Sequence, residues 1–261
     1  MTKEQDSLLV SQENGIITLT VNRPEKRNAL TPDIFSRLTE ALRSAGKEGV
    51  VRVVVLRGAG EKAFSSGYEI SRLHGPEESD FQDPLEDVIL AIETCAVPVI
   101  AMIYGYCIGA GVSLATACDL RLAADNARLG VTAARLGVVY PPSALRRLIN
   151  LVGVSATREL LYTGRLVDAG RARDIRLVDE VVPADRLAAV TYDLAREIAG
   201  NSPISVRGTK KMISRLLDSQ SISPVTREEF LELQKQAAAS QDLREGKKAF
   251  AEKRKPEFRN K

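Results

Sequence analysis

Apolar and polar positions along this chain fall into patterns that separate strands from helices. Residues 15–21, GIITLTV, alternate with β-branched side chains and predict a strand, which Asn22-Arg23-Pro24 breaks. Thr31-Pro32-Asp33 reads as an N-cap followed by proline at the first helical position, opening a helix to about Ala45. Val50 to Leu56, VVRVVVL, is apolar almost throughout. A run of that kind is buried on both faces, as in a parallel sheet covered by helices. A polar, Pro-containing loop around 75–84 precedes a helix from about Asp83 to Thr94, and a second buried strand runs from Val97 to Ile103. Next comes YGYCIGAGVSLATACD, Tyr104 to Asp119, with Gly105, Gly109 and Gly111 ahead of a small-residue helical pattern. Asp119 to Ala124 predicts another strand. After about Pro141 the pattern turns helical, over 143–152, 155–163, 168–174, 185–200, 203–217 and 224–252, interrupted by a short strand near 178–182.

Strands separated by helices imply right-handed βαβ crossovers. The expected architecture is one α/β core carrying a helical C-terminal layer, with no internal repeat or long linker. At 261 residues the chain can bury a full core. Its net charge of +3 is too small to imply a nucleic-acid footprint. No apolar run reaches the ~20 residues of a spanning helix, and the N-terminus, MTKEQDSLLV, has no signal-peptide character, so no membrane partner and a cytoplasmic location are expected. Cys95, Cys107 and Cys118 lie in apolar contexts without metal-ligand spacing and read as buried thiols; with His74 as the one histidine, no metal site is expected.

The stretch around Gly109 carries the first hint of chemistry. A buried strand feeding a Gly-rich turn and a helix leaves unpaired N–H groups at the helix start, which favour a negatively charged oxygen. The same glycines would equally let a helix pack closely on a sheet, and this stretch alone does not choose between the two.

Six stretches together resemble the crotonase (enoyl-CoA hydratase/isomerase) superfamily: NRPEKRNAL (22–30), EKAFSSGYEI (61–70), VPVIAMIYGYCIGAGVSLATACDLRLAA (97–124), RLGVTAARLGVV (128–139), LLYTGRLVDAGRARDIRLVDEVVP (160–183) and EGKKAFAEKRKPEF (245–258). They occur in the family's order, and the likeness spans essentially the whole chain. The resemblance implies a crotonase-like α/β spiral of ββα units over residues 1–200. It implies a helical oligomerisation region over 201–261, serving a homotrimer or homohexamer. The implied ligand is an acyl-CoA, with coenzyme A entering as part of the substrate and no separate cofactor. In that family two backbone N–H groups grip the thioester oxygen; motif matching puts them at Tyr68, after Ser66-Gly67, and at Ala110, after Gly109. The CoA moiety is implied beside Lys26, Arg27, Ala29, Ala63, Ser66, Gly67 and Gly109, with basic residues of the C-terminus near its phosphates.

The departures from the family pattern bear on the reaction. Hydratases of the family use two glutamates, and the matching positions here are Ser113 and Ala133. A serine hydroxyl without a partner is too weak a base at neutral pH, and an alanine does no proton chemistry. Tyr140 and Tyr68 instead resemble the decarboxylase branch, similar to methylmalonyl-CoA decarboxylase, in which loss of CO2 itself makes the enolate and no base is needed. Tyr68, Ala110 and Tyr140 are therefore the expected catalytic positions, with Ser113, His74 and Glu69 as further candidates. Glu69 would brace the turn or serve as a relocated acid/base. Three readings stand: decarboxylation of a malonyl-type acyl-CoA, hydration or isomerisation with a relocated acid/base, and acyl-CoA binding with little catalysis.

Overall fold

A computed structural model describes residues 6–45, 50–69, 84–218, 228, 231–232, 235–236 and 238–257. His74, Phe258 and nearly all of the polar loop expected at 75–84 lie outside these. The larger sheet holds β1 (Leu8–Glu13), β2 (Ile16–Val21), β3 (Val53–Gly58), β5 (Val99–Ile103), β7 (Leu120–Ala124) and β10 (Glu180–Val182), in the order β1-β2-β3-β5-β7-β10. From β2 onward every pairing is parallel, as the buried runs predicted. β1 pairs antiparallel with β2 across the two residues Asn14 and Gly15, which take φ of 49° and 79°. Positive φ at both positions fits the tight hairpin turn whose twist matches its strands.

Alternating side chains of the large sheet feed two apolar layers. Val54, Leu56, Val99, Ala101 and Ile103 face α1 (Pro32–Ala45), α2 (Pro84–Glu93) and α3 (Ala110–Ala117). Val53, Val55, Ile100, Met102 and Leu122 face α7 (Ala184–Gly200) through Leu187 and Ala195. Helix α1 buries Ile34, Phe35, Leu38 and Leu42 at helical spacing. Each such burial stabilises by about 1.5–3 kcal/mol before ordering entropy is counted.

A second sheet escaped the sequence pattern: β4 (Ala63–Ser65), β6 (Tyr106–Ile108), β8 (Arg128–Gly130) and β9 (Val167–Asp168), in the order β4-β6-β8-β9. The chain passes from β3 to β4 to α2, from β5 to β6 to α3, and from β7 to β8 to α4 (Ala133–Leu136). This is the expected spiral of ββα units. It sets the ends of β4 and β6 side by side.

The helical layer follows with α5 (Pro142–Thr163), α6 (Ala169–Asp174), α7, α8 (Pro203–Asp218) and a C-terminal helix, Gln241–Ala251. Gly153, at φ 76° and ψ 169°, separates the two runs of α5, matching the break expected there. The single helix expected over 224–252 is corrected: Ser240 takes an extended conformation and caps a new helix, accepting from Leu243 N at 3.1 Å. Its hydroxyl competes with the helical backbone and favours the cap. The three cysteines are free and buried. Burial pushes the Cys118 thiol up to about 12, and those of Cys95 and Cys107 upward too.

Candidate active site

The loop after β2 is clasped to the connection between β3 and β4 by one buried side chain. Asn28, fully buried at φ 54°, donates from Nδ2 to Ala59 O at 3.0 Å and Ala63 O at 2.7 Å, and its Oδ1 accepts from Arg23 N at 3.1 Å. Asparagine tolerates this left-handed conformation better than most residues. Ser66 N donates to Arg27 O at 2.9 Å, and Ser66 Oγ to Lys26 O at 3.3 Å. Arg23 Nη1 donates to Ala29 O at 2.9 Å and reaches Glu69 Oε2 at 3.2 Å. Lys26, Arg27, Ala29, Ala63, Ser66 and Gly67 thus come into one neighbourhood, with Lys26 and Arg27 exposed. Glu69 braces the turn through Arg23.

Leu30 and Tyr68 form a parallel bridge, in which Leu30 N donates to Gly67 O at 2.8 Å and Glu69 N to Leu30 O at 2.9 Å. In such a ladder the intervening residue, Tyr68, turns its own N–H to the opposite side. The start of α3 abuts the preceding residue, Gly67. A Cβ added to Gly67 would lie 2.8 Å from Ile108 O and 3.5 Å from Ala110 N, and one on Gly111 would lie 3.0 Å from the Ser65 Cβ. The two backbone turns are in contact; Gly67 leaves no room for a Cβ, and at Gly111 Ser65 would have to give way.

Helix α3 begins as expected. Gly109 is its N-cap at φ 54° and ψ −115°, and the Ser113 N–H to Gly109 O bond of 3.1 Å closes the first turn. Ala110 is the first helical residue, so its N–H has no acceptor within the helix. The amides of Tyr68 and Ala110 therefore come from adjacent turns at the positive end of a helix.

One turn into α3, Ser113 is 2% exposed and shares a short hydrogen bond with the Tyr140 hydroxyl. The same phenol donates toward Gly109 O at 3.4 Å. Burial, opposed by the Ser113 bond, pushes the phenol up to about 12. It is a neutral donor at physiological pH. Ala133 lies in α4, whose last residues lead to Tyr140. Sequence reasoning missed Asn28 as the clasp, and Glu86, Ser143 and Arg147 beyond Tyr140. A visible signal existed for Arg147: it stands among the inward positions of α5, beside buried Ala144 and Leu148.

The chain is similar to known proteins over nearly its whole length. The family profile described as Enoyl-CoA hydratase/isomerase matches residues 11–261. The short-chain-enoyl-CoA hydratase of Clostridium acetobutylicum is 31% identical over 263 residues, covering 98% of this chain and 99% of its own. The mitochondrial methylglutaconyl-CoA hydratase of Mus musculus is 30% identical over 268 residues, covering 98% and 85%. Methylmalonyl-CoA decarboxylase complexed with 2S-carboxypropyl CoA superposes with a TM-score of 0.93 at 26% identity, covering 99% of this chain and 100% of that one.

Proposed function

The chain belongs to the enoyl-CoA hydratase/isomerase family, and from that premise we propose that it decarboxylates a malonyl-type acyl-CoA. The Tyr68 and Ala110 amides receive the thioester oxygen. The bond between the α-carbon and the carboxylate breaks, CO2 departs, and the electron pair becomes an enolate whose charge gathers on that oxygen. A proton then adds at the α-carbon to give the shortened acyl-CoA. Two preorganised donors aimed at a developing oxyanion are worth roughly 3 kcal/mol each. Tyr140, held neutral, offers its O–H to the departing carboxylate and fixes its direction. Lys26 and Arg27 beside Ala29, Ala63 and Ser66 would receive the CoA moiety.

One observation carries this reading: the positions where hydratases carry their two glutamates hold Ser113, hydrogen-bonded to Tyr140, and Ala133. A reaction that needs no base tolerates this, and a carboxylate placed there would repel the substrate's own. The likeness to methylmalonyl-CoA decarboxylase supports it. Hydration or isomerisation with a relocated acid/base is the second reading, favoured by the hydratase relatives; Glu69 is its candidate carboxylate, and it is engaged by Arg23. A homotrimer or homohexamer belongs to the same proposal, with Ile204, Met212 and Leu216 of α8 exposed as apolar contact surface.

Purified protein incubated with methylmalonyl-CoA and malonyl-CoA is expected to release CO2 and the shortened acyl-CoA. Turnover of crotonyl-CoA with no CO2 release would replace this reading by the second. Tight CoA-thioester binding without any turnover would leave only an acyl-CoA-binding role.

A further inference from the structure

Two hydroxyls meet beside Gly109, and between them they hold two protons. Among the described residues Ser113 Oγ has one hydrogen-bond partner, the Tyr140 hydroxyl. Tyr140 Oη has two, Ser113 Oγ and Gly109 O, the second at 3.4 Å. A hydroxyl donates one proton and can accept on either lone pair. If Tyr140 donated to Ser113, the serine proton would be left without an acceptor on a residue 2% exposed, and Gly109 O would lose the phenol. If Ser113 donates to Tyr140, the phenol's proton goes to Gly109 O and both protons are placed. A buried donor left unpaired costs about 1–3 kcal/mol, so the fold stabilises the second arrangement.

The bond from Tyr140 to Gly109 O is the easily surrendered one. It is longer than ordinary O–H···O bonds, and Gly109 O already accepts from Ser113 N at 3.1 Å. That carbonyl belongs to the same peptide unit as the Ala110 N–H, so the phenol rests against the peptide that carries a proposed oxyanion donor. Beyond Tyr140 the chain is anchored: Ser143 Oγ donates to Glu86 Oε1 at 2.8 Å and Arg147 Nη1 to Glu93 Oε1 at 3.2 Å, tying α5 to α2. What stays adjustable is the direction of the O–H. With the serine proton on one lone pair, the phenol keeps its own proton turned away from Ser113.

We propose that Ser113 is a positioning residue: it donates to the Tyr140 oxygen and so aims the phenol's single proton at Gly109 O in the free protein and at the carboxylate of a bound acyl group. A hydrogen bond to a carboxylate is roughly twice as strong as one between neutral groups, so the ligand takes the proton from the carbonyl. Gly109 O keeps its bond from Ser113 N and is not left bare. The inference rests on the role given to Tyr140 above but not on the release of CO2.

The test is equilibrium binding by calorimetry of two unreactive thioethers, 2-carboxypropyl-CoA and its uncharged counterpart isobutyl-CoA. The unmodified protein is expected to prefer the carboxylated ligand by about tenfold or more, the size of one charge-assisted hydrogen bond, and Tyr140→Phe to remove that preference. Ser113→Ala deletes one oxygen at a helical position that suits alanine. It is expected to cut the preference by about threefold or more, the net worth of a neutral hydrogen bond, while isobutyl-CoA binds as before. In the Tyr140→Phe protein the same change is expected to do nothing, because a residue that acts only through the phenol has nothing left to act on. Equal weakening of both ligands by Ser113→Ala, an effect that adds to that of Tyr140→Phe, or a preference that Ser113→Ala leaves intact overturns the proposal and spares the role of Tyr140. A preference that is absent from the unmodified protein, or that survives Tyr140→Phe, removes the carboxylate contact itself and this inference with it. The expected coupling without CO2 release from methylmalonyl-CoA removes the decarboxylase reading alone.

Discussion

The Tyr140 phenol combines a buried hydroxyl, a serine partner and a position beside the proposed oxyanion donors, and its protonation can be followed directly. Its folded value, about 12, lies above the ordinary 10.0. Between those values the unfolded chain releases the proton while the folded chain holds it, so the tyrosine's stabilising contribution is complete below about pH 10 and declines as pH rises toward 12. The stability difference between the unmodified protein and Tyr140→Phe is therefore expected to shrink over that range in urea titrations; a flat difference would contradict the burial. At neutral pH, Tyr140→Phe is expected to lower kcat/KM for methylmalonyl-CoA by about tenfold or more, the worth of a hydrogen bond to a carboxylate. Asn28 shows the opposite kind of residue. Its side chain is fully buried and its three hydrogen bonds are structural, and NRPEKRNAL identified it only as part of a motif.

At the scale of elements, the turn after β4 and the start of α3 depend on two glycines for different reasons. Gly67, at φ 95°, has no room for a side chain, since an added Cβ would meet Ile108 O at 2.8 Å. Gly109, at φ 54°, has open space around it and is constrained by its backbone alone. Gly109→Ala is expected to cost about 1–3 kcal/mol, the range for a residue held in a disfavoured backbone region. Gly67→Ala is expected to cost more and to remove activity, because the backbone must also shift away from Ala110. Thermal unfolding and turnover of the two variants check the order; equal losses would mean that the close approach of the turns does not matter. The helix start at Gly109-Ala110 was legible in the sequence, because a glycine run between an apolar strand and a small-residue helix has a local signature. The strands β4, β6 and β8 were not. Three residues give too short a run for an alternation to register. β1 also went unread, since its burial pattern is one buried residue followed by five exposed ones. Its signal lay in the Asn14-Gly15 turn.

Across the whole molecule, an ion pair between a buried Lys210 and a part-exposed Asp119 ties the helical layer to the sheet that carries the site. Lys210 of α8 donates to Asp119 Oδ2 at 2.6 Å, to Val97 O at 3.0 Å and to Ile92 O at 3.2 Å, and the same Asp119 oxygen accepts from Val99 N at 2.7 Å. Breaking a buried pair from one side leaves a charge without compensation. Asp119→Asn, which leaves the buried Lys210 ammonium without its counter-charge, is therefore expected to cost up to about 3–5 kcal/mol in urea unfolding, and Asp119→Asn with Lys210→Met considerably less. Equal losses in the two proteins would show that the charge is not the cause. By itself the sequence determined the strands of the large sheet other than β1 and most of the helices, because their apolar periods are local and long enough to be read. It also determined the acidic side chains that Ser113 and Ala133 do not supply. Only the tertiary structure decided that the amides of Tyr68 and Ala110 lie on touching turns and that Tyr140 bonds to Ser113. Those facts depend on contacts between segments distant in the chain, and the geometry of such contacts is fixed by packing, which leaves no period in the sequence.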